Sequence, residues 1–129
     1  MGERQRISSG GPWEDMAGYS RAIVVGDSCL VSGTTDAGPD TRSLHPGDVA
    51  GQTRAVLGII EAALAQGGFA LEEVVRTRMF VTDISRWEEI GRAHGEFFRD
   101  VRPAATMVAV SRLVDPSMLV EIEAEAIIP

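Results

Sequence analysis

The stretch of sequence that decides the fold is Val120-Glu121-Ile122-Glu123-Ala124-Glu125-Ala126. Apolar and acidic residues alternate in it one by one, which is the period of a β-strand with one buried face and one polar face. Its three glutamates share the polar face, with neighbours about 6.6–6.8 Å apart along the strand. The stretch therefore predicts a strand within residues 118–127 whose two faces meet different surroundings.

Four more strands are predicted upstream of this one. Residues 22–25 and 29–32 are rich in β-branched side chains and flank the turn Gly26-Asp27-Ser28, which predicts a hairpin. Residues 74–82 and 105–111 have the apolar and β-branched composition typical of strands. Residues 34–48 are rich in Thr, Asp, Gly and Pro, and they predict a long loop that is a candidate pocket rim.

Two helices are predicted between these strands. Asp48 is a suitable N-cap for a helix from Val49 to about Gln66, which Gly67-Gly68 would end. Ser85-Arg86-Trp87-Glu88 matches a capping box and predicts a second helix to about Arg99. Helical spacing places the following residues on the buried sides of the two helices: Val56, Ile60, Ala63 and Leu64 in the first, and Trp87, Ile90, His94, Phe97 and Phe98 in the second.

The order β-β-α-β-α-β-β predicts an α+β fold in which two helices cover one face of a mixed sheet. One domain over residues 1–129 is the natural interpretation of a chain this long. Several strands are apolar in continuous runs, which is typical of strands buried on both faces. Because two helices cover only one face, we expect a closed oligomer that packs sheet against sheet.

Composition excludes several classes of function. The 129 residues carry 12 Lys+Arg against 19 Asp+Glu, a net charge of −7 that argues against nucleic-acid binding. No apolar run approaches the roughly 20 residues of a membrane span, and residues 1–11 lack the apolar core of a signal peptide. The lone Cys29 excludes an internal disulfide and is expected to be a small buried hydrophobe. We therefore expect a cytoplasmic protein without a membrane partner.

No cofactor or metal ion is predicted. His45 and His94 are the only histidines, no paired-cysteine or His-Glu-x-x-His motif is present, and the glycines form no phosphate-binding fingerprint. His94 is interpreted as a hydrogen-bonded core or interface residue, with a role in a pocket left open.

The charges of the sheet allow two interpretations. Arg76 and Arg78 share one face of their strand, as do Glu121, Glu123 and Glu125 on theirs. These side chains are either a polar face with charges paired across strands, or a site in which one glutamate is a base and one arginine binds an anion. Coverage of this face by an oligomer would favour the second interpretation.

The chain also resembles a known family, the Rid family (YjgF, or endoribonuclease L-PSP), in order along nearly its whole length. The matching stretches are Tyr19-Ser20-Arg21-Ala22, Val31-Ser32-Gly33, Gly47-Asp48, Gln52-Thr53-Arg54, Val74-Val75-Arg76-Thr77, Phe80-Val81-Thr82-Asp83, Phe97-Phe98, Arg102-Pro103-Ala104 and Val120-Glu121-Ile122-Glu123-Ala124. The resemblance implies a chorismate-mutase-like fold and a homotrimer with sheets turned inward and three ligand clefts between subunits.

Active members of the family hydrolyse reactive enamines and imines released by pyridoxal-phosphate enzymes, and they need no cofactor of their own. The resemblance implies that Glu121 places the attacking water and that Tyr19 and Ser32 line the cleft. In those members an arginine directly after Pro-Ala binds the substrate carboxylate through two parallel hydrogen bonds.

This chain lacks that arginine, because Ala105 follows Pro103-Ala104, and Gly91 replaces a pocket asparagine. The lost contact is worth about 1.5–3 kcal/mol, which argues against the standard 2-imino-acid deaminase activity. Either Arg78 substitutes for the arginine, or Ala105 opens the cleft to a bulkier or uncharged ligand beside Met107 and His94. The function is then hydrolysis of an imine or enamine or, alternatively, non-catalytic metabolite binding or regulation by the trimer. Ribonuclease activity is not expected, since no histidine pair or basic cleft is evident.

Overall fold

Six strands form one mixed sheet in the computed structural model, which describes residues 3–129. The strands are β1 (Arg4–Ile7), β2 (Ala22–Val25), β3 (Ser28–Thr34), β4 (Val74–Val81), β5 (Ala104–Ala109) and β6 (Val120–Ile127). Their order across the sheet is β1-β2-β3-β6-β4-β5. Only β4 and β5 run parallel, and every other neighbouring pair is antiparallel. The mixed sheet and the β2–β3 hairpin confirm the sequence prediction.

The helices are α1 (Glu14–Ala17), α2 (Val49–Gln66) and α3 (Trp87–Phe98), with 3₁₀ turns at Leu71–Glu73 and Ile84–Arg86. Asp48 caps α2 as predicted, since its Oδ1 accepts a hydrogen bond of 2.9 Å from the Gly51 N–H. Gly67 ends this helix, also as predicted. No helix among residues 3–129 combines the length and apolarity needed to cross a membrane.

The core lies between α2, α3 and one face of the sheet. The predicted stripe of α2 is buried: Val56, Ile60 and Leu64 are fully inaccessible and Ala63 is almost so. From the sheet, the apolar residues of β6 face this core, as their alternation predicts: Val120, Ile122, Ala124 and Ala126. The glutamates of β6 therefore lie on the opposite side, which we call the open face and define by Arg76, Arg78, Glu121, Glu123 and Glu125.

The predicted capping box of α3 is wrong. The N–H and the hydroxyl of Ser85 both donate to Asp83 Oδ1, at 3.1 and 2.6 Å, so Asp83 caps a 3₁₀ turn and no side chain caps α3 itself. Trp87 accordingly starts α3 on its outer side and is 56 % exposed, whereas Ile90 and Phe98 are buried as expected. A competing local hydrogen bond thus shifted the start of the helix.

Two elements near the N-terminus were not predicted from the sequence. β1 pairs with β2 from Arg4 opposite Val25 to Ile7 opposite Ala22, and it forms an edge of the sheet. Because only Ile7 of its four residues is buried, β1 has no alternation that distinguishes it from a polar loop. The short α1 follows at Glu14–Ala17. Together they make residues 4–17 an ordered part of the fold.

Candidate functional site

A cleft of about 820 Å³ opens at the end of β3, beside Glu121 of β6. It is lined by residues 9–13 of the N-terminal segment, by Tyr19 and Arg21, and by residues 32–35 and 37–39. Glu121 and Glu123 reach it from the open face. The predicted loop of residues 34–48 thus contributes its first part to the cleft.

A β-bulge shapes the cleft next to Glu121. Val31 of β3 pairs with Ala124 of β6, and the next pair is Thr34 with Ile122. Three steps along β3 therefore match two steps along β6, so β3 carries one extra residue. Bulges re-aim side chains and are frequent beside functional sites. Here the extra residue lies in the Ser32-Gly33 segment, and a β-carbon added at Gly33 would overlap Glu121 Oε2. The bulge and its glycine therefore make the space that the Glu121 carboxylate occupies.

Glu121 differs from the other glutamates of its strand because of the register between β4 and β6. Glu121 lies opposite Phe80, whereas Glu123 lies opposite Arg78 and Glu125 opposite Arg76. No hydrogen bond or ion pair to the Glu121 carboxylate forms within residues 3–129. Burial raises the pKa of Glu121, with a further increase from the negative charge of Glu123 and a partial offset from Arg21. A half-buried, unpaired carboxylate of raised pKa is a suitable general base.

Arg78 is held by the two remaining glutamates of the open face. Its Nη1 donates to Glu123 Oε1 at 3.1 Å and to Glu125 Oε1 at 3.2 Å. These hydrogen bonds raise the pKa of Arg78 above its ordinary value. The pairing across strands corresponds to the first of the two interpretations of the sheet charges, and Arg78 does not line the Glu121 cleft.

Arg21 forms the floor of the cleft, and it is almost fully buried at 6 % exposure. Its Nη1 donates to the Gly33 carbonyl at 2.7 Å and to Thr34 Oγ1 at 2.9 Å, which fixes the backbone of the bulge. Its guanidinium lies 5.5 Å from the centre of the Tyr19 ring, and Nη2 is 3.4 Å from the Tyr19 hydroxyl. Arg21 thus connects Tyr19 to the strand that carries Gly33.

Glu14 ties the N-terminal segment down over the cleft. Its carboxylate accepts hydrogen bonds from the hydroxyls of Ser8 and Ser9, at 2.9 and 2.7 Å, and from the backbone N–H of Gly11 at 3.1 Å. Burial by itself would raise the pKa of Glu14, but these hydrogen bonds outweigh it and lower the pKa below 4.5. A charged Glu14 therefore holds the wall of the cleft formed by residues 9–13.

Three of the predicted site residues meet in this cleft: Tyr19, Ser32 and Glu121. Ser32 donates its hydroxyl proton to the Ser20 carbonyl at 2.6 Å, so its oxygen is left as an acceptor. Sequence reasoning assigned no role to Glu14, Arg21 or Gly33, although Arg21 and Gly33 belong to the matching stretches.

The other predicted residues lie elsewhere in the chain. His94 lies on the side of α3 that faces β4, where its Nε2 is 2.9 Å from Thr77 Oγ1 and its ring lies 4.7 Å from that of Phe98. Burial lowers the pKa of His94, which favours the neutral imidazole. Ala105 pairs with Thr77, and Met107 with Met79, across the parallel β4–β5 ladder. Ala105 and Met107 thus belong to the β4–β5 edge and His94 contacts β4 from α3, and none of the three lines the Glu121 cleft.

A second cluster was also missed from the sequence. Asp36 is 1 % exposed, and its Oδ2 accepts from Ser43 Oγ at 2.7 Å and lies 3.0 Å from His45 Nδ1. Its Oδ1 has no partner within residues 3–129. These contacts close the loop of residues 34–48 on itself. The same part of the chain contains no group of three or more His, Cys, Asp or Glu arranged to hold a metal ion.

Comparison with known proteins identifies the family. The model of the family described as endoribonuclease L-PSP matches residues 13–128. The chain belongs to this family. Endoribonuclease L-PSP is the older name for the Rid or YjgF family, so the resemblance read from the sequence is confirmed.

Individual members of the L-PSP family match over most of their length. An uncharacterised protein of Streptomyces coelicolor is 38 % identical over 95 % of this chain and 90 % of its own. The 3-aminoacrylate deaminase RutC of Acinetobacter baylyi is 33 % identical over 86 % of this chain and 87 % of its own. The crystal structure of Rv2704 from Mycobacterium tuberculosis, of the YjgF/YER057c/UK114 family, is 47 % identical with a TM-score of 0.89, covering 98 % of this chain and all of that one.

Proposed function

We propose that this L-PSP family member hydrolyses a small reactive imine or enamine, with Glu121 placing and activating the water. The observation that carries the proposal is the unpaired, half-buried Glu121 carboxylate of raised pKa beside Gly33. The relative RutC is a deaminase of 3-aminoacrylate, which is itself an enamine.

The chemistry demands few protein groups. An imine carbon is already electrophilic, so the reaction needs a positioned water and a group that accepts its proton. Water oxygen bonds to the imine carbon while Glu121 takes the proton, and the protonated Glu121 returns it to the nitrogen. Glu121 then carries the hydroxyl proton of the resulting carbinolamine to its nitrogen as the carbon–nitrogen bond breaks, which releases ammonia and leaves a carbonyl. A carboxylate of raised pKa is a stronger base at neutral pH than an ordinary glutamate.

We further propose that the chain assembles as a homotrimer, with open faces turned inward and ligand clefts between subunits. The proposal is supported by the open face, which neither α2 nor α3 covers, and by β5, an edge strand whose Val108 is 42 % exposed. Light scattering coupled to gel filtration tests it, with an expected mass three times the 13.8 kDa of the chain. A monomer at micromolar concentration would contradict the assembly.

A coupled assay on a freshly generated 2-imino acid tests the hydrolysis. We expect a rate above that of buffer for the wild type and none for Glu121→Gln. Ala105→Arg restores the arginine that follows Pro-Ala in active relatives, and it should increase the rate if the rest of the cleft is competent. Equal rates for wild type and buffer, with Ala105→Arg equally silent, would contradict an enzymatic function.

The second candidate function is a trimer that binds a metabolite without turning it over, or that regulates through protein contact. It is favoured by the pairing of Arg78 with Glu123 and Glu125, because a guanidinium held in this way is not a free anion clamp. Native mass spectrometry of the purified protein separates the two functions. A small molecule that stays bound unchanged, with no hydrolysis of imines, would support the second.

Cleavage of RNA is not part of the proposal in spite of the family's older name. The cleft carries Glu121 and Glu123, and the net charge of the chain is −7, so phosphates would be repelled. We expect rigorously purified protein to leave RNA intact. Degradation that co-purifies with the protein and disappears in Glu121→Gln would overturn this expectation.

A further inference from the structure

The walls of the Glu121 cleft are largely apolar. Six of the residues that line it have apolar or aromatic side chains: Pro12, Trp13, Tyr19, Pro39, Ile59 and Val114. Val114 is 68 % exposed, so a ligand in the cleft would cover apolar surface that water now touches. A cleft of about 820 Å³ with such walls suits a ligand with an apolar or aromatic body.

The positive charge in the cleft is already engaged by the protein. Arg21 is the one Lys, Arg or His side chain that lines the cleft among residues 3–129. Its Nη1 donates to the Gly33 carbonyl and to Thr34 Oγ1, and its guanidinium lies 5.5 Å from the centre of the Tyr19 ring. Its Nε lies 3.9 Å from Glu14 Oε2, and both of these side chains are at most 7 % exposed. Arg21 is therefore not free to bind the carboxylate of a ligand.

The negative charge in the cleft is less well balanced. The Glu121 carboxylate has no hydrogen bond or ion pair within residues 3–129, and it is half-buried. Glu123 has to share Nη1 of Arg78 with Glu125, at 3.1 and 3.2 Å. A partly desolvated carboxylate without a partner attracts a cation and repels an anion. The described part of the cleft thus favours a cationic ligand.

An imine can supply this cation itself. Protonation of its nitrogen gives an iminium ion, which is the more electrophilic form of the imine. An iminium ion and water give a carbonyl compound and an ammonium ion, so the positive charge stays on the nitrogen from substrate to product. The electron-rich face of an aromatic ring such as that of Trp13 also favours a cation over a neutral group.

We propose that the Glu121 cleft selects an iminium ion that has an apolar or aromatic body and no carboxylate. Such a substrate is the imine of a simple amine and not that of an amino acid, so the reaction that supplies it is the oxidation of an amine at the carbon next to its nitrogen. The inference rests on the proposed function and names its class of substrate.

The binding test uses three molecules of one shape and different charge. Benzamidine is a planar cation that resembles an iminium ion, benzamide is neutral and benzoate is an anion. Their affinities are measured by NMR titration of the assembled, full-length protein, so that any residue contributed by a second copy is present. We expect benzamidine to bind at least about tenfold more tightly than benzoate, with benzamide between them. Benzoate binding as tight as that of benzamidine would overturn the proposal.

Two variants identify the groups that recognise the cation. Glu121→Gln should lose about tenfold in affinity for benzamidine and little for benzamide. Glu61→Gln removes the same charge from an exposed position of α2 and should change neither affinity. Trp13→Leu keeps an apolar wall without the aromatic ring, and it should weaken benzamidine about two- to fivefold more than benzamide. An unchanged affinity for benzamidine in Glu121→Gln, with the variant shown to be folded by its thermal unfolding, would overturn the proposal.

Two imines that differ only in a carboxylate separate this inference from the proposed function. Flavin oxidases generate one imine from 2-phenylethylamine and the corresponding 2-imino acid from phenylalanine. We expect kcat/KM to be at least about tenfold higher for the imine without the carboxylate. An equal or higher kcat/KM for the 2-imino acid contradicts the substrate class alone. Selective binding of benzamidine without turnover of either imine contradicts the hydrolase alone.

Discussion

The α-carbon of Gly33 faces the Glu121 carboxylate so closely that a β-carbon at Gly33 would overlap Glu121 Oε2. The φ of Gly33 is not in the left-handed region, so the backbone does not demand glycine here. Space alone demands it. The bulge of β3 therefore brings Gly33 next to Glu121 of β6, and the absence of a side chain at Gly33 leaves room for the Glu121 carboxylate.

Gly33→Ala is expected to displace the Glu121 carboxylate with little loss of stability. The overlapping atom is the end of a flexible side chain, which can move away, but a displacement of about 1 Å lowers hydrolysis by up to about a hundredfold. The imine assay measures this, and chemical denaturation measures the stability.

Gly58→Ala is the matched control for Gly33→Ala. Gly58 is an exposed residue of α2 with nothing within 4 Å of an added β-carbon. This substitution should leave activity unchanged and stabilise the protein by about 0.5–1 kcal/mol. Full activity in Gly33→Ala would show that the position of the Glu121 carboxylate is not critical.

Glu121→Gln is expected to abolish hydrolysis and to stabilise the protein at neutral pH. The loss of activity is about a hundred- to ten-thousandfold for a general base. Because burial raises the pKa of Glu121 in the folded state, folding favours its protonated form. Wild-type stability should therefore fall as pH rises from 4.5, the ordinary value, through the raised pKa.

Urea denaturation of both proteins across this pH range checks the prediction, since Glu121→Gln lacks that decline. Wild-type hydrolysis should fall on acidification at a pH above 4.5, where the carboxylate becomes protonated. Identical stability profiles for the two proteins would contradict a raised pKa at Glu121.

Glu14→Gln is expected to destabilise the protein by about 1–3 kcal/mol at neutral pH, because the buried carboxylate accepts hydrogen bonds from Ser8, Ser9 and Gly11. The pKa of Glu14 is lowered in the folded state, so its contribution is complete above pH 4.5 and is lost as pH falls through the lowered pKa. Thermal unfolding at several pH values measures this. Glu88→Gln, at a 61 % exposed side chain, serves as control, and an equal effect in both variants would count against the role of Glu14.

Arg78→Gln is expected to weaken the proposed homotrimer. Removing Arg78 breaks its ion pairs with Glu123 and Glu125 and makes the open face more negative, and assembly would bring three such faces together. Light scattering over a dilution series should show dissociation at higher protein concentration than in the wild type, with rescue by salt or by Glu123→Gln. Unchanged assembly in Arg78→Gln would place this face outside the interface.

The sequence predicts the fold well where the side-chain pattern of a segment is compatible with only one kind of secondary structure. The strict alternation of residues 120–126 predicts both β6 and its buried face, and Asp48 with the stripe of α2 predicts that helix. The start of α3 was misplaced because Asp83 and Ser85 both offer local caps, and only three-dimensional context selects Asp83.

The site is less predictable because it depends on register. Nothing in the sequence shows that Phe80 lies opposite Glu121 while Arg78 lies opposite Glu123, yet this offset decides which glutamate is unpaired. The role of Glu14 is equally hard to predict, because Ser8 and Ser9 form no recognisable motif with it in the sequence and contact it only in the folded chain. Relations between neighbouring strands and across loops are tertiary properties, and local pattern does not encode them.

The N-terminal wall of the cleft is continuous with β1, which is held in the sheet only through its pairing with β2 at one edge. Edge strands open more readily than central ones, because only one side of their backbone is hydrogen-bonded. Each opening of β1 would loosen residues 9–13 and expose the Glu121 cleft. The residence time of a bound molecule is thus expected to depend on how often β1 opens, although no residue of β1 lines the cleft.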